Sequence, residues 1–175
     1  MGFQNGDGSI LQTQLRNVAH NYMSHAIVVP VMNLSVRGLC AKPYPLHKKG
    51  CMNFNKKPGC PPKCKTLPEI LDLTKPVFAI YNEFDIGSHV ERMKAKHPGW
   101  TNRQLFCCLY WQPKARLQLK EKIKAFLKEN PGLIIASCPE GNGVDLTATM
   151  LSIGIKLEWP PLKIARQVVL AGTRA

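Results

Sequence analysis

The chain has 175 residues, 45% of them hydrophobic, which is the size and make-up of one globular domain and excludes global disorder. Its formal net charge of +13 points to an anionic partner, nucleic acid or another anionic ligand. The longest apolar run, Ala26 to Met32, is interrupted by Pro30 and falls far short of the roughly 20 residues that cross a bilayer, so no membrane partner is expected.

Met1 to Gln14 has neither a basic start nor an apolar core of the secretory kind. Gly6 also stands where a myristoylation signal needs Ser or Thr. A cytoplasmic protein is therefore expected. In that reducing compartment, seven cysteines point to metal or catalysis rather than to disulfides, and an odd number cannot pair completely.

Met1 to Gly8 is polar and Gly-rich and is expected to fray. Ser9 to His20 has a weak helical rhythm through Ile10, Leu11, Leu15 and Val18. Ala26 to Val36 is rich in β-branched residues and reads as the first strand. Arg37 to Lys65 then carries eight Lys or Arg, no Asp or Glu, five prolines and four cysteines. Its prolines forbid a regular helix and disfavour a central strand, so residues 37–65 form an irregular loop that needs something to order it.

Beyond Pro68 the texture is conventional. Pro76 to Phe84 reads as a buried strand, and Ser88 to Lys96 as a short basic helix capped by Ser88. Thr101 to Gln104 fits a capping box that opens a helix carrying Cys107, Cys108 and Trp111. Pro113 begins another helix, whose core face is Ala115, Leu119, Ile123 and Leu127. Leu133 to Ser137 and Ala165 to Ala171 read as strands, with a short helix over Val144 to Ser152 between them. The alternation predicts a single α/β domain spanning 1–175. Its core is a mixed or parallel sheet of about four strands flanked by helices, with the cysteine-rich loop inside the same domain.

Cys40, Cys51, Cys60 and Cys64 are separated by ten, eight and three residues. Four thiolates in a loop with no other core are candidate ligands for a metal ion or an iron–sulfur cluster, whose binding would order the segment. Zinc usually takes two Cys-x₂₋₄-Cys knuckles, and only Cys60-Pro61-Pro62-Lys63-Cys64 supplies one. Scattered cysteines, one followed by proline, suit an iron–sulfur cluster better, with zinc as the alternative. Unligated thiols are the bland reading.

The surrounding lysines either offset a cluster's charge, contact phosphates beside Tyr44 and Phe54, or form a solvated face. His47 is a possible ligand or proton carrier, or an ordinary exposed histidine. Adjacent helical residues point about 100° apart, so one of Cys107 and Cys108 is expected to be buried and the other to edge a site. Cys138 lies at a strand end, in Cys138-Pro139-Glu140-Gly141-Asn142-Gly143-Val144-Asp145. Ligands collect at strand ends in α/β folds, and Glu140 there is a candidate general acid or base. The turn is no dinucleotide fingerprint, and the chain has no Walker-A, nucleophile-elbow or His-Glu-x-x-His pattern.

Cys40, Gly50-Cys51-Met52-Asn53-Phe54-Asn55 and Cys60-Pro61-Pro62 together resemble the signature of a family of predicted cysteine-rich metal-binding proteins. That signature runs Cys, Cys-x-x-Tyr-Gly, Cys-Pro-Pro, then Pro-Glu and Gly-Val/Ile-Asp-Val. Phe54-Asn55 replaces Tyr-Gly here, while Pro139-Glu140 and Gly143-Val144-Asp145-Leu146 match the closing element. The resemblance covers the loop and about the last 40 residues, and it implies metal binding without a defined reaction. It ranks Cys51 and Cys60 first as ligands and Cys40 next, with Cys64 and Cys138 competing for a fourth place.

The leading expectation is an iron–sulfur protein. As an enzyme it would use an open [4Fe–4S] site in sulfur chemistry or in nucleotide or RNA modification. A zinc-stapled nucleic-acid-binding module without catalysis is the alternative, and a protein whose thiols are simply reduced is the third possibility. The strand-end turn at Cys138 is expected to form one wall of a pocket with the cysteine loop.

Overall fold

A computed structural model describes residues 24–43 and 48–175. The expectations for Met1 to Gly8, the helical rhythm of Ser9 to His20, Tyr44 and His47 lie outside them. Among the described residues four strands form one sheet in the order β1-β2-β4-β3: β1 His25–Val28, β2 Val77–Asp85, β3 Ile134–Ala136 and β4 Ile164–Gly172. The helices are α1 Ile86–Lys96, α2 Asn102–Leu105, α3 Cys108–Glu129 and α4 Leu146–Leu151. An α/β domain with four strands and flanking helices is thus what the chain forms.

The strand directions differ from expectation, because every pairing is antiparallel. β2 and β3 do run the same way, joined through α3, as a strand–helix–strand order suggests. But β4 inserts between them, pairing Ala79 with Leu170 and Ala136 with the same Leu170. The parallel unit is split, and no parallel neighbours remain. Only the last strand could reveal this, since its position in the sheet leaves no trace in local periodicity.

Alternation along the strands builds two cores. On one face Ile80, Val169 and Ala171 pack against Leu119 and Phe126 of α3, with Ile123 and Leu127 at the margin. A helix advances 3.6 residues per turn, so a face counted in steps of four drifts. That drift places Phe126 rather than Leu127 under the sheet. On the other face Val77, Ala79, Tyr81, Val168 and Leu170 meet Leu67, Leu71, Val144, Leu146 and Met150. This second face carries the cysteine loop and the turn after β3.

Several boundaries also move. The first strand ends at Val28, and Leu34–Ala41 forms a 3-10 helix in place of continued strand. Asn33 caps it, its side-chain oxygen accepting from the Ser35 N–H. Asp85, not Ser88, caps α1, and its carboxylate accepts the Ser88 N–H. Thr101 and Gln104 do form a capping box, but for the one-turn α2 alone. Pro113 then lies inside α3, because the helix begins at Cys108, and it leaves the Leu109 carbonyl without its helical partner.

Candidate metal centre at the end of the third strand

β3 ends at Ala136, and residues 137–145 turn back to start α4, whose cap Asp145 accepts the Ala148 N–H. The turn is closed from within. The Asn142 N–H reaches the carbonyls of Cys138 and Pro139, the Gly143 N–H that of Glu140, and the Val144 N–H that of Pro139. A methyl group on Gly141 would stand 2.7 Å from Cys138 Sγ and 3.3 Å from Pro61 Cδ. Glycine is therefore required there by close approach, and the same distances bring Pro61 of the Cys-Pro-Pro segment near the Cys138 thiol.

The loop is tied to this turn by polar contacts. The Cys64 thiol donates to the Gly141 carbonyl at 2.9 Å, and Asn142 Nδ2 donates to the Lys65 carbonyl at 2.7 Å. The Leu67 N–H donates to the Asn142 carbonyl, and the Asn33 N–H to that of Gly143, each at 2.8 Å. Arg37 spans the loop's two ends, donating through Nη2 to the carbonyls of Pro62 at 3.0 Å and Cys64 at 2.7 Å. Sequence reasoning missed both Arg37 and Asn142. A lone basic residue in a basic stretch gives no signal, whereas an asparagine between two glycines is a recognisable turn element.

Within the loop the backbone folds into successive turns. Cys51 N–H donates to the Cys40 carbonyl at 2.8 Å, Phe54 to Cys51, Cys60 to Lys57, and Cys64 to Cys60. The Asn55 N–H crosses to Pro61. The segment thus has more internal order than its composition suggests, and it is irregular as expected.

These ties gather five of the seven cysteines with Glu140. The Cys40 thiol is pushed above its ordinary pKa, chiefly by burial and then by Cys51, Glu140, Cys60 and Cys64 around it. Burial pushes the Cys138 thiol to about 11, against the Gly141 N–H, which favours the thiolate; Glu140, Cys40 and Cys60 raise it further. The Glu140 carboxyl is likewise raised, first by burial and then by Asp145. Asn142 is 4% exposed, and its Oδ1 has no partner among the described residues.

Cys40, Cys51, Cys60 and Cys138 are half-buried, and Cys64 is buried with its thiol already engaged. Among the described residues no group of three or more His, Cys, Asp or Glu side chains is placed to hold a metal ion. The donor chemistry nonetheless fits a soft metal: thiols dominate, and they share one partly buried neighbourhood.

Cys107 and Cys108 belong elsewhere. Both are half-buried. Cys108 packs at the edge of a third cluster, Phe84, Ile86, Trp111, Ala115 and Ala165, while Cys107 precedes α3 and accepts the Tyr110 N–H. The expected division into one buried thiol and one edging a site does not occur. Among the described residues no helix is long and apolar enough to cross a membrane. The chain matches no family model, no curated protein and no solved structure.

Proposed function

We propose that this is a cytoplasmic iron–sulfur protein whose cluster is held by the cysteine loop over the turn after β3. The observation that carries the reading is the meeting of Cys138 and Glu140 with Cys40, Cys51 and Cys60, although 74 positions separate Cys64 from Cys138 in the chain. Thiols that merely filled a core would not need a turn with Gly141 shaved to fit the Cys138 sulfur. The resemblance to cysteine-rich metal-binding proteins through Cys51, Cys60 and Pro139-Glu140 agrees with it.

Cys40, Cys51 and Cys60 are the proposed ligands, with Cys138 or Cys64 as the fourth. Cys138 is preferred because the Cys64 sulfur is spoken for by Gly141. When bound, a cluster would supply a soft, redox-active iron site, and in the form held by Cys40, Cys51 and Cys60 without the fourth thiol it would keep an open coordination position. Glu140, held toward its protonated form by burial, would carry a proton at the rim of that position. Sulfur transfer or modification of a nucleotide or RNA is the chemistry this arrangement suits.

Anaerobic purification followed by iron, acid-labile sulfide and zinc determination tests the reading. Stoichiometric iron and sulfide with visible absorption is expected. Colourless protein with one zinc per chain would replace it with the zinc-stapled module, and metal-free protein would leave reduced thiols only.

A further inference from the structure

At another corner of the fold, far along the chain from the cysteine loop, three rings stack in series. His97 and Trp100 lie with centroids 4.2 Å apart and planes 7° from parallel, and Trp100 and Tyr110 follow at 5.0 Å and 29°. The rings come from three segments: the residue that ends α1, the turn before α2, and the first turn of α3. Trp100 is sandwiched, but Tyr110 is 50% exposed, and its neighbour Leu109 is 76% exposed.

The charge here is one-sided. From Arg92 to Lys120 the chain has no Asp or Glu, and Glu91 is the one acidic residue of α1. Lys94 and Lys96 end α1, Arg103 lies in α2 and Lys114 in α3, all of them exposed. Arg92 and Lys114 both bear on His89 of α1, and Lys114 lies about one helical turn beyond Tyr110 along α3. The ion pairs among the described residues use Lys124 and Arg166 and none of these groups. A stack that only clamped the turn to α3 would need neither an open ring at its end nor unpaired cations around it.

We propose that this corner is a binding platform for single-stranded nucleic acid, with a base stacked on the open side of Tyr110 and phosphates held by Arg103, Lys96 and Lys114. A π-face accepts any base, and the flanking cations follow the backbone, so the platform would be tolerant of sequence and sensitive to salt. Duplex bases are already stacked and offer no free face to the ring. The inference stands independently of the metal centre.

Fluorescence anisotropy on the full-length protein tests it, with labelled single strands of RNA and of DNA of about 12 nucleotides, and a blunt duplex of the same sequence. Single strands should bind more tightly than duplex and quench tryptophan emission; the tighter of RNA and DNA identifies the natural class. Tyr110→Ala should weaken single-strand binding by about tenfold, and Tyr110→Phe should restore it. The double change Arg103→Ala with Lys114→Ala should flatten the log–log salt dependence by about 1.4, two phosphates' worth. Should Tyr110→Ala lose its fold, Tyr110→Met, which keeps an uncharged side chain of similar reach but no ring, serves in its place. Equal affinity for duplex and single strand, or no loss in a folded variant without the Tyr110 ring, would overturn the proposal.

Discussion

The thiol of Cys64 donates to the backbone carbonyl of Gly141 at 2.9 Å, joining positions 77 residues apart. That single contact docks the end of the cysteine loop on the turn after β3. It also separates two roles that sequence spacing merges, since Cys64 stands beside the Cys60-Pro61-Pro62 element yet acts as a tie.

Replacing Cys64 therefore discriminates between tie and ligand. Cys64→Ser keeps a donor for Gly141 and should leave stability within error, whereas Cys64→Ala should cost about 1 kcal/mol in chemical unfolding. Metal content should fall less in Cys64→Ser than in Cys138→Ser. The reverse order would make Cys64 the fourth ligand.

Cys51→Ser and Cys60→Ser should each lose most of the bound metal, while Cys108→Ser, at the edge of the Phe84 and Trp111 cluster, should lose little. A hydroxyl is a poor substitute for a thiolate on a soft metal. Metal per chain decides the matter, and unchanged content in the first two variants would mean that other residues hold it.

Gly141→Ala places a methyl group 2.7 Å from Cys138 Sγ and 3.2 Å from the Cys138 carbonyl oxygen. The backbone contact cannot swing aside, so the change should cost about 1–3 kcal/mol and lower metal content with it. A stable variant with full metal would show that the turn can relax without disturbing Cys138.

Chelation should expose the loop unevenly. Lys56 and Lys57 lie in exposed turns, whereas Lys65 accepts from Asn142 and its neighbours are held by Arg37. Trypsin should cut metal-free protein first after Lys56, since Pro58 blocks cleavage after Lys57, and Arg37→Ala should extend cleavage to Lys63 and Lys65. Equal resistance with and without metal would show that the turns and ties hold the loop unaided.

His89 is buried beside Phe84, and its Nε2 has no partner among the described residues. Burial, then Arg92 and Lys114, hold its pKa below the ordinary 6.5. The unfolded chain thus takes up a proton first as pH falls. The neutral side chain's contribution is fully present above about pH 6.5 and is lost as pH drops from there through the folded value. His89→Leu should flatten the stability profile between about pH 7 and 5; an unaltered slope would place the acid sensitivity elsewhere.

Local chemistry made much of this protein legible in its sequence. The alternation of Val77 to Phe84 and of Ala165 to Ala171 marked the two central strands, the Thr101–Gln104 box marked a helix start, and the proline- and lysine-rich stretch marked an irregular loop. Each of these is a period or a cap that a few neighbouring residues settle among themselves. The cysteine spacing likewise grouped the loop thiols, while the Pro-Glu turn was joined to them by the resemblance and by its place at a strand end.

Tertiary structure decided what depends on pairing at a distance. Whether β2 and β3 become parallel neighbours turns on where β4 inserts, which is a choice among sheet edges that no local pattern encodes. The same holds for Arg37 reaching Cys64, for Asn142 reaching Lys65, and for His97, Trp100 and Tyr110 meeting in one stack. Side chains of these types are polar or amphipathic and individually compatible with solvent, so only the burial of the two hydrophobic faces, by fixing where each segment lies, brings them into contact.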